Sequence, residues 1–125
     1  MYSLGCVELA RGRFSQARSL FTNSLKMQQT SQRKRGRITS LVGFASLAAA
    51  HGNAERALRL LGATEAALES LPMHLEFITE RDFENARAAA RGALSEEAFA
   101  TAWATGRAMT LERAVQYATE ETTDV

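Results

Sequence analysis

The densest charge in the sequence is Arg33-Lys34-Arg35-Gly36-Arg37. Four cations in five residues could grip a polyanion through its phosphates. No aromatic residue is interleaved with them, so the run offers no platform for stacking bases. It reads more economically as the solvated start of a helix, with Arg33, Lys34, Arg35 and Arg37 as polyanion contacts in the alternative. The other reactive side chains are scattered. Cys6 is the only cysteine and lies among apolar neighbours, where a thiol is a small hydrophobe rather than a nucleophile. His51 and His74 stand too far apart in sequence for a local ligand pair. Glu96-Glu97 and Glu120-Glu121 are adjacent in sequence, so on a helix they point in different directions and cannot act as an acid/base couple. No glycine-rich loop followed by Lys-Ser/Thr occurs, which removes the usual phosphate cradle. The expectation is a non-catalytic chain with no metal and no cofactor. Trp103, Phe99 and Met109 could line a ligand pocket; at helical spacing, core is the better reading.

The elements that position these residues are helices. The 125 residues contain one proline, Pro72, and eight glycines, too little punctuation for an all-β domain. Alanine, leucine, arginine and glutamate, all strong helix formers, dominate the composition. No stretch is apolar enough to span a membrane, and the N-terminus lacks the basic and apolar regions of a signal peptide. A reduced, cytoplasmic setting is the default.

Phe14, Ala17 and Phe21 step by three and four residues and mark one face of a second helix, after a turn at Arg11-Gly12-Arg13. Residues 28–37 are polar and basic and read as a connection plus an exposed helix start. Ile38, Leu41, Val42, Ala45, Ala48 and Ala49 give the third helix a continuous stripe, ended by His51-Gly52-Asn53. A fourth helix is expected over 54–70 and a fifth from about 75 to 92, with Phe83, Ala86, Ala90, Ala93 and Leu94 inward. Ser95 and Thr110 read as N-caps of a sixth and a seventh helix. Charge divides unevenly. Eight bases against one acid, Glu8, give residues 1–38 a net +7, and the remainder carries −6.

Slid along itself, the chain aligns its first two helical pairs: Gly12 falls on Gly52, Ala17 on Ala57, Leu20 on Leu60 and Phe21 on Leu61. Small residues at 5/45 and 17/57 let antiparallel helices approach, large ones at 21/61 fill the gap, and glycine turns the corner. This is the logic of a stacked helix-pair repeat. The pattern Leu4-Gly5…Gly12…Ala17…Phe21…Ser24 resembles a tetratricopeptide repeat (TPR), although the Gly12-to-Gly52 spacing exceeds that repeat's usual period of about 34 and requires a longer joining segment.

Residues 57–63 and the run from Leu94 through Trp103, Gly106-Arg107-Ala108-Met109-Thr110-Leu111-Glu112 to Ala118 resemble a terminal module. It is the C-terminal TPR-like region of bacterial LuxR-type and STAND (NB-ARC-like ATPase) transcriptional regulators. The resemblance implies an all-α, TPR-like antiparallel helix-pair superhelix of about seven helices. Two hairpins would cover 1–70, and a C-terminal helical cap of the same domain 71–125. It further implies a sensor or protein–protein interaction arm whose ATP- and DNA-binding modules lie elsewhere in a parent polypeptide. Its partner would be a protein, a peptide or those modules. By the repeat's geometry, Tyr2, Cys6, Thr39, Val42 and Ser46 should face a concave binding groove.

Two alternatives stand beside this reading: a homo-oligomerisation module, possible as a homodimer through the open face of the first helix, and a nucleic-acid accessory using 33–37. A helix-turn-helix over 98–118, with Gly106 in the turn, is disfavoured. Its second helix carries Glu112 and runs into Glu120-Glu121, which would repel phosphates, so no direct DNA contact is expected and a capping helix over the last repeat is preferred.

Overall fold

The computed structural model describes the backbone of residues 2–31, 34–70 and 77–119, and side chains within those stretches from 5–23, 37–70 and 79–118. The described residues form α1 (Tyr2–Ala10), α2 (Phe14–Ser31), α3 (Lys34–Ala50), α4 (Ala54–Ser70), α5 (Phe77–Ala93), α6 (Glu96–Arg107) and α7 (Leu111–Thr119), with no strand among them. The chain is an all-α helical-repeat fold.

The two corners are the same corner built twice. Gly12 (φ 77) and Gly52 (φ 80) lie in the left-handed region, where an L side chain is strained. Around each, the amides bond back in one pattern. Arg13 N–H donates to Glu8 O at 2.8 Å and Gly12 N–H to Leu9 O at 3.0 Å. At the second corner, Asn53 N–H donates to Ala48 O at 2.8 Å and Gly52 N–H to Ala49 O at 3.1 Å. This is the Schellman arrangement, which satisfies the last carbonyls of a helix before the chain reverses. Beyond the corners, Ala17 and Ala57 are fully buried, as are Phe21 and Leu61. The Phe21 ring lies close against the backbone of both α1 and α3: a Cβ at Gly5 would fall 2.5 Å from it and one at Gly43 2.6 Å.

The extra length of the repeat is absorbed differently from expectation. Of residues 28–37, those through Ser31 belong to α2 and not to a connection, while Lys34 opens α3 as the expected helix start. The added residues are largely helical.

The third helix also differs. The sequence marks a single stripe, but α3 is buried on almost every side from Ile38 to Ala48; only Thr39 and Ser46 are partly exposed. The reason is its neighbours. Packed against α1, α2, α4, α5 and α7, it is the central helix of the domain. A helix that is apolar all round belongs in such a position.

α5 packs on α3 and α4, and α6 packs chiefly on α4. The contact between α4 and α6 is backbone to backbone. A Cβ at Gly62 would meet the Trp103 carbonyl at 2.6 Å, and one at Gly106 would collide with the Arg59 carbonyl. Gly106 therefore lies inside α6 as a close-approach residue, not in a turn. On α5, Phe83, Ala86 and Ala90 are buried as expected, whereas Ala93 is exposed at the helix end. The N-caps hold: Ser95 Oγ accepts from Ala98 N–H and Thr110 Oγ1 from Arg113 N–H, both at 3.1 Å.

α7 packs on the second hairpin, the last of the two repeats. It folds back against α3 and α4, and its Ala114, Val115 and Ala118 join the same core as Phe21, Leu41, Phe44 and Leu60.

Candidate functional site

Cys6 on α1 and Asp82 on α5 come together across the central helix, with the thiol 3.9 Å from the carboxylate; both residues are half-buried. They are distant in sequence, and no periodicity in either helix announces the pairing. Thr39 and Ser46, also half-buried, lie on one stripe of α3, which packs against both α1 and α5. Val42, the residue between them on that stripe, is a correction to the sequence reading. It is 0% exposed and belongs to the core cluster, because the neighbours of α3 close over it. Tyr2 lies on α1, with its side chain outside the described residues.

Of the residues expected in the groove, Cys6, Thr39 and Ser46 are half-buried, and Cys6 meets Asp82.

Of the basic run, Arg33 lies outside the described residues, and Lys34 and Arg35 are described as helix backbone only. Arg37 is half-buried on α3, with its Nε withdrawn from solvent. His51 follows α3 at the second corner, exposed, with its ring 4.2 Å from the Phe14 ring between centroids; it ties the two corners together. His74 lies outside the described residues. Among the described residues, no group of three or more His, Cys, Asp or Glu is placed to hold a metal ion, and no helix is long and apolar enough to cross a membrane.

The residues of the specific C-terminal run hold the domain together. Trp103 stacks on Phe99 (centroids 5.8 Å apart, planes 6° apart) and meets Phe83 edge-on at 6.2 Å. Arg87 and Arg91 of α5 lie over these rings. Arg107 bonds Glu69 at 2.7 Å and also Glu65, pinning the end of α6 to α4. The bond to Glu69 holds the Glu69 carboxyl below the usual carboxylate range and the Arg107 guanidinium above the usual arginine range. Met109, with Thr110, Leu111 and Glu112, lines a cavity of about 370 Å³ against Ala66, Ala67 and Ser70 of α4. Trp103 and Phe99 form ring contacts elsewhere on α6.

Sequence reasoning missed Arg56. It is only 5% exposed in the first turn of α4. Its guanidinium donates to the Tyr117 and Ala118 carbonyls at 2.7 and 3.2 Å and lies 4.6 Å over the Tyr117 ring. Arg59, one turn on, donates to the Tyr117 hydroxyl at 3.3 Å. These carbonyls are among the last of α7, where the helix dipole is negative, so Arg56 caps a helix from a different part of the chain. An arginine three residues into a helix ordinarily faces solvent, and nothing local marks this one as buried.

Comparison with protein-family models, with curated proteins and with solved structures finds no match to this chain.

Proposed function

We propose that the domain is a non-catalytic recognition module, the protein- or effector-binding arm of a bacterial transcriptional regulator of the LuxR or STAND type. The recognition part is carried by one observation. Half-buried, uncharged Cys6, Thr39 and Ser46 lie on α1 and α3, and Cys6 meets Asp82 of α5; we read these four as one patch where the first members of successive pairs pack. Small polar side chains held on rigid helices, with one carboxylate, suit a peptide amide or a basic group. The regulator part rests on the resemblance of residues 57–63 and 94–118. In such an arm, occupation of the patch shifts the packing of neighbouring modules, a coupling of about 1–3 kcal/mol in typical cases.

The test uses the complete reading frame that encodes the chain. Thr39→Arg and Ser46→Arg, which crowd the patch, should abolish effector-dependent DNA activation while leaving the helical circular dichroism unchanged. An unaltered response overturns the patch. A reading frame without a nucleotide-binding core overturns the regulator assignment and leaves the recognition reading standing.

A further inference from the structure

The internal repeat assigns a counterpart to every position that seats α7. On the second hairpin, α7 is held by Arg56, Arg59 and Leu60 of α4, and Leu47 of α3 is buried in the same cluster as Ala114, Val115 and Ala118. On the first hairpin these positions are Gln16, Ser19, Leu20 and Val7. Gln16 and Ser19 are exposed and Leu20 is half-exposed. Val7 is 44% exposed, the exposed large hydrophobic residue among those described, whereas Leu47 is 3% exposed. An open depression of about 660 Å³ lies there, lined by Glu8, Arg13, Ser15, Gln16, Ser19 and Leu20. By the repeat these six correspond to Ala48, Asn53, Glu55, Arg56, Arg59 and Leu60. Where Arg56, Arg59 and Leu60 meet α7 on the second hairpin, the equivalent Gln16, Ser19 and Leu20 of the first are exposed or half-exposed.

We propose that this face of the α1–α2 hairpin is a docking groove for a short amphipathic helix of a partner protein. That helix would sit as α7 sits on α3 and α4, with small apolar residues spaced like Ala114, Val115 and Ala118 and with acidic residues at its C-terminal end. Leu20 lines the depression, and Val7, next to Glu8 on α1, is the exposed apolar side chain of the same hairpin. Gln16 stands where Arg56 bonds the Tyr117 and Ala118 carbonyls, so it donates to the last carbonyls of the incoming helix, and Ser19 stands where Arg59 meets the Tyr117 hydroxyl. The acidic requirement follows from charge. Glu8, paired to Arg13 at 3.4 Å, is the one acid in residues 1–38, and Arg11, Arg13 and Arg18 leave the hairpin positive. This groove is separate from the Cys6–Asp82 patch, and neither proposal depends on the other.

A synthetic peptide of residues 110–125 is the probe. It carries the α7 pattern followed by Glu120, Glu121 and Asp124. Titrated into the isotope-labelled full chain, it should shift the amide resonances of Val7, Gln16, Ser19 and Leu20. Val7→Asp, at an exposed position that leaves the fold intact, should weaken binding roughly tenfold or more. Raising the salt concentration should weaken it as well, because surface charges are screened. Shifts confined to Arg56, Arg59 and Leu60 would mean exchange with the resident α7 and would overturn the proposal. No shift at Val7 and Leu20 would do the same. Self-association of the chain without peptide, lost on Val7→Asp, would assign the groove to a second copy and overturn the partner helix.

Discussion

Glycine does three different jobs in this chain, and each predicts a different mutational outcome. At Gly12 and Gly52 the backbone is left-handed. Alanine at either should cost about 1–2 kcal/mol, and the two losses should agree closely because the corners share their hydrogen-bond pattern. Urea unfolding of the two variants checks this. Gly106 is a matter of space: a methyl group there meets the Arg59 backbone, which cannot swing aside. Gly106→Ala should cost about 3 kcal/mol, the upper end for overpacking. Gly92, near the end of α5, has nothing within reach of an added methyl group. Gly92→Ala should be neutral or stabilising, by up to about 1 kcal/mol, through helix propensity. Glu69 adds a pH-dependent contribution. Its pKa is lowered in the folded chain by the bond from Arg107. The stabilisation is therefore present above the unfolded carboxyl value and disappears as pH falls through the folded one. Thermal melts of Glu69→Gln should lie below those of the parent chain above the carboxyl range, by a margin that stays constant into alkali because Arg107 remains charged, and should converge with them in acid.

At the scale of the element, α7 is nine residues long and would not hold its helix alone. Its stability comes from docking, and Arg56 is the chief polar part of that docking. Arg56→Met keeps the aliphatic stem and removes the cap, so it should cost about 1.5–3 kcal/mol, the range for hydrogen bonds to a charged group. The same variant should raise hydrogen exchange in α7 well before α3 or α4 is affected. Equal acceleration in all three helices would mean that Arg56 supports the core and not the cap. The elements are also where legibility in the sequence divides. Ala54–Ser70, both N-caps and both corner glycines were readable because local chemistry determines them: a cap side chain, a left-handed φ, a periodic apolar face. The burial of α3 on nearly every side, the fold-back of α7, the role of Arg56 and the meeting of Cys6 with Asp82 were not. They depend on which helices arrive from distant sequence, and a stripe pattern records the neighbour on one side only. Val42 shows the same limit: a regular repeat turns this position toward a groove, whereas the helices around α3 bury it.

At the scale of the molecule, the first two hairpins follow the repeat and the last three helices depart from it. α6 approaches α4 at backbone distance, Phe83, Phe99 and Trp103 fill the space between α5 and α6, and α7 returns to the middle. The run from Trp103 to Glu112 is thereby accounted for as architecture: ring packing, close approach, the Arg107 clamp, and the Thr110 cap. The surfaces proposed for recognition are the patch on α1, α3 and α5, and the face of the first hairpin that lacks an α7 of its own. The second depends on the equivalence of the two hairpins and on where α7 docks. The most direct measurement is a set of long-range nuclear Overhauser contacts from the methyl groups of Ala114, Val115 and Ala118, together with backbone couplings at Gly12 and Gly52. The account predicts contacts from α7 to α3 and α4, and positive φ at both glycines. Methyl contacts confined to α5 and α6, or a negative φ at either glycine, would contradict it.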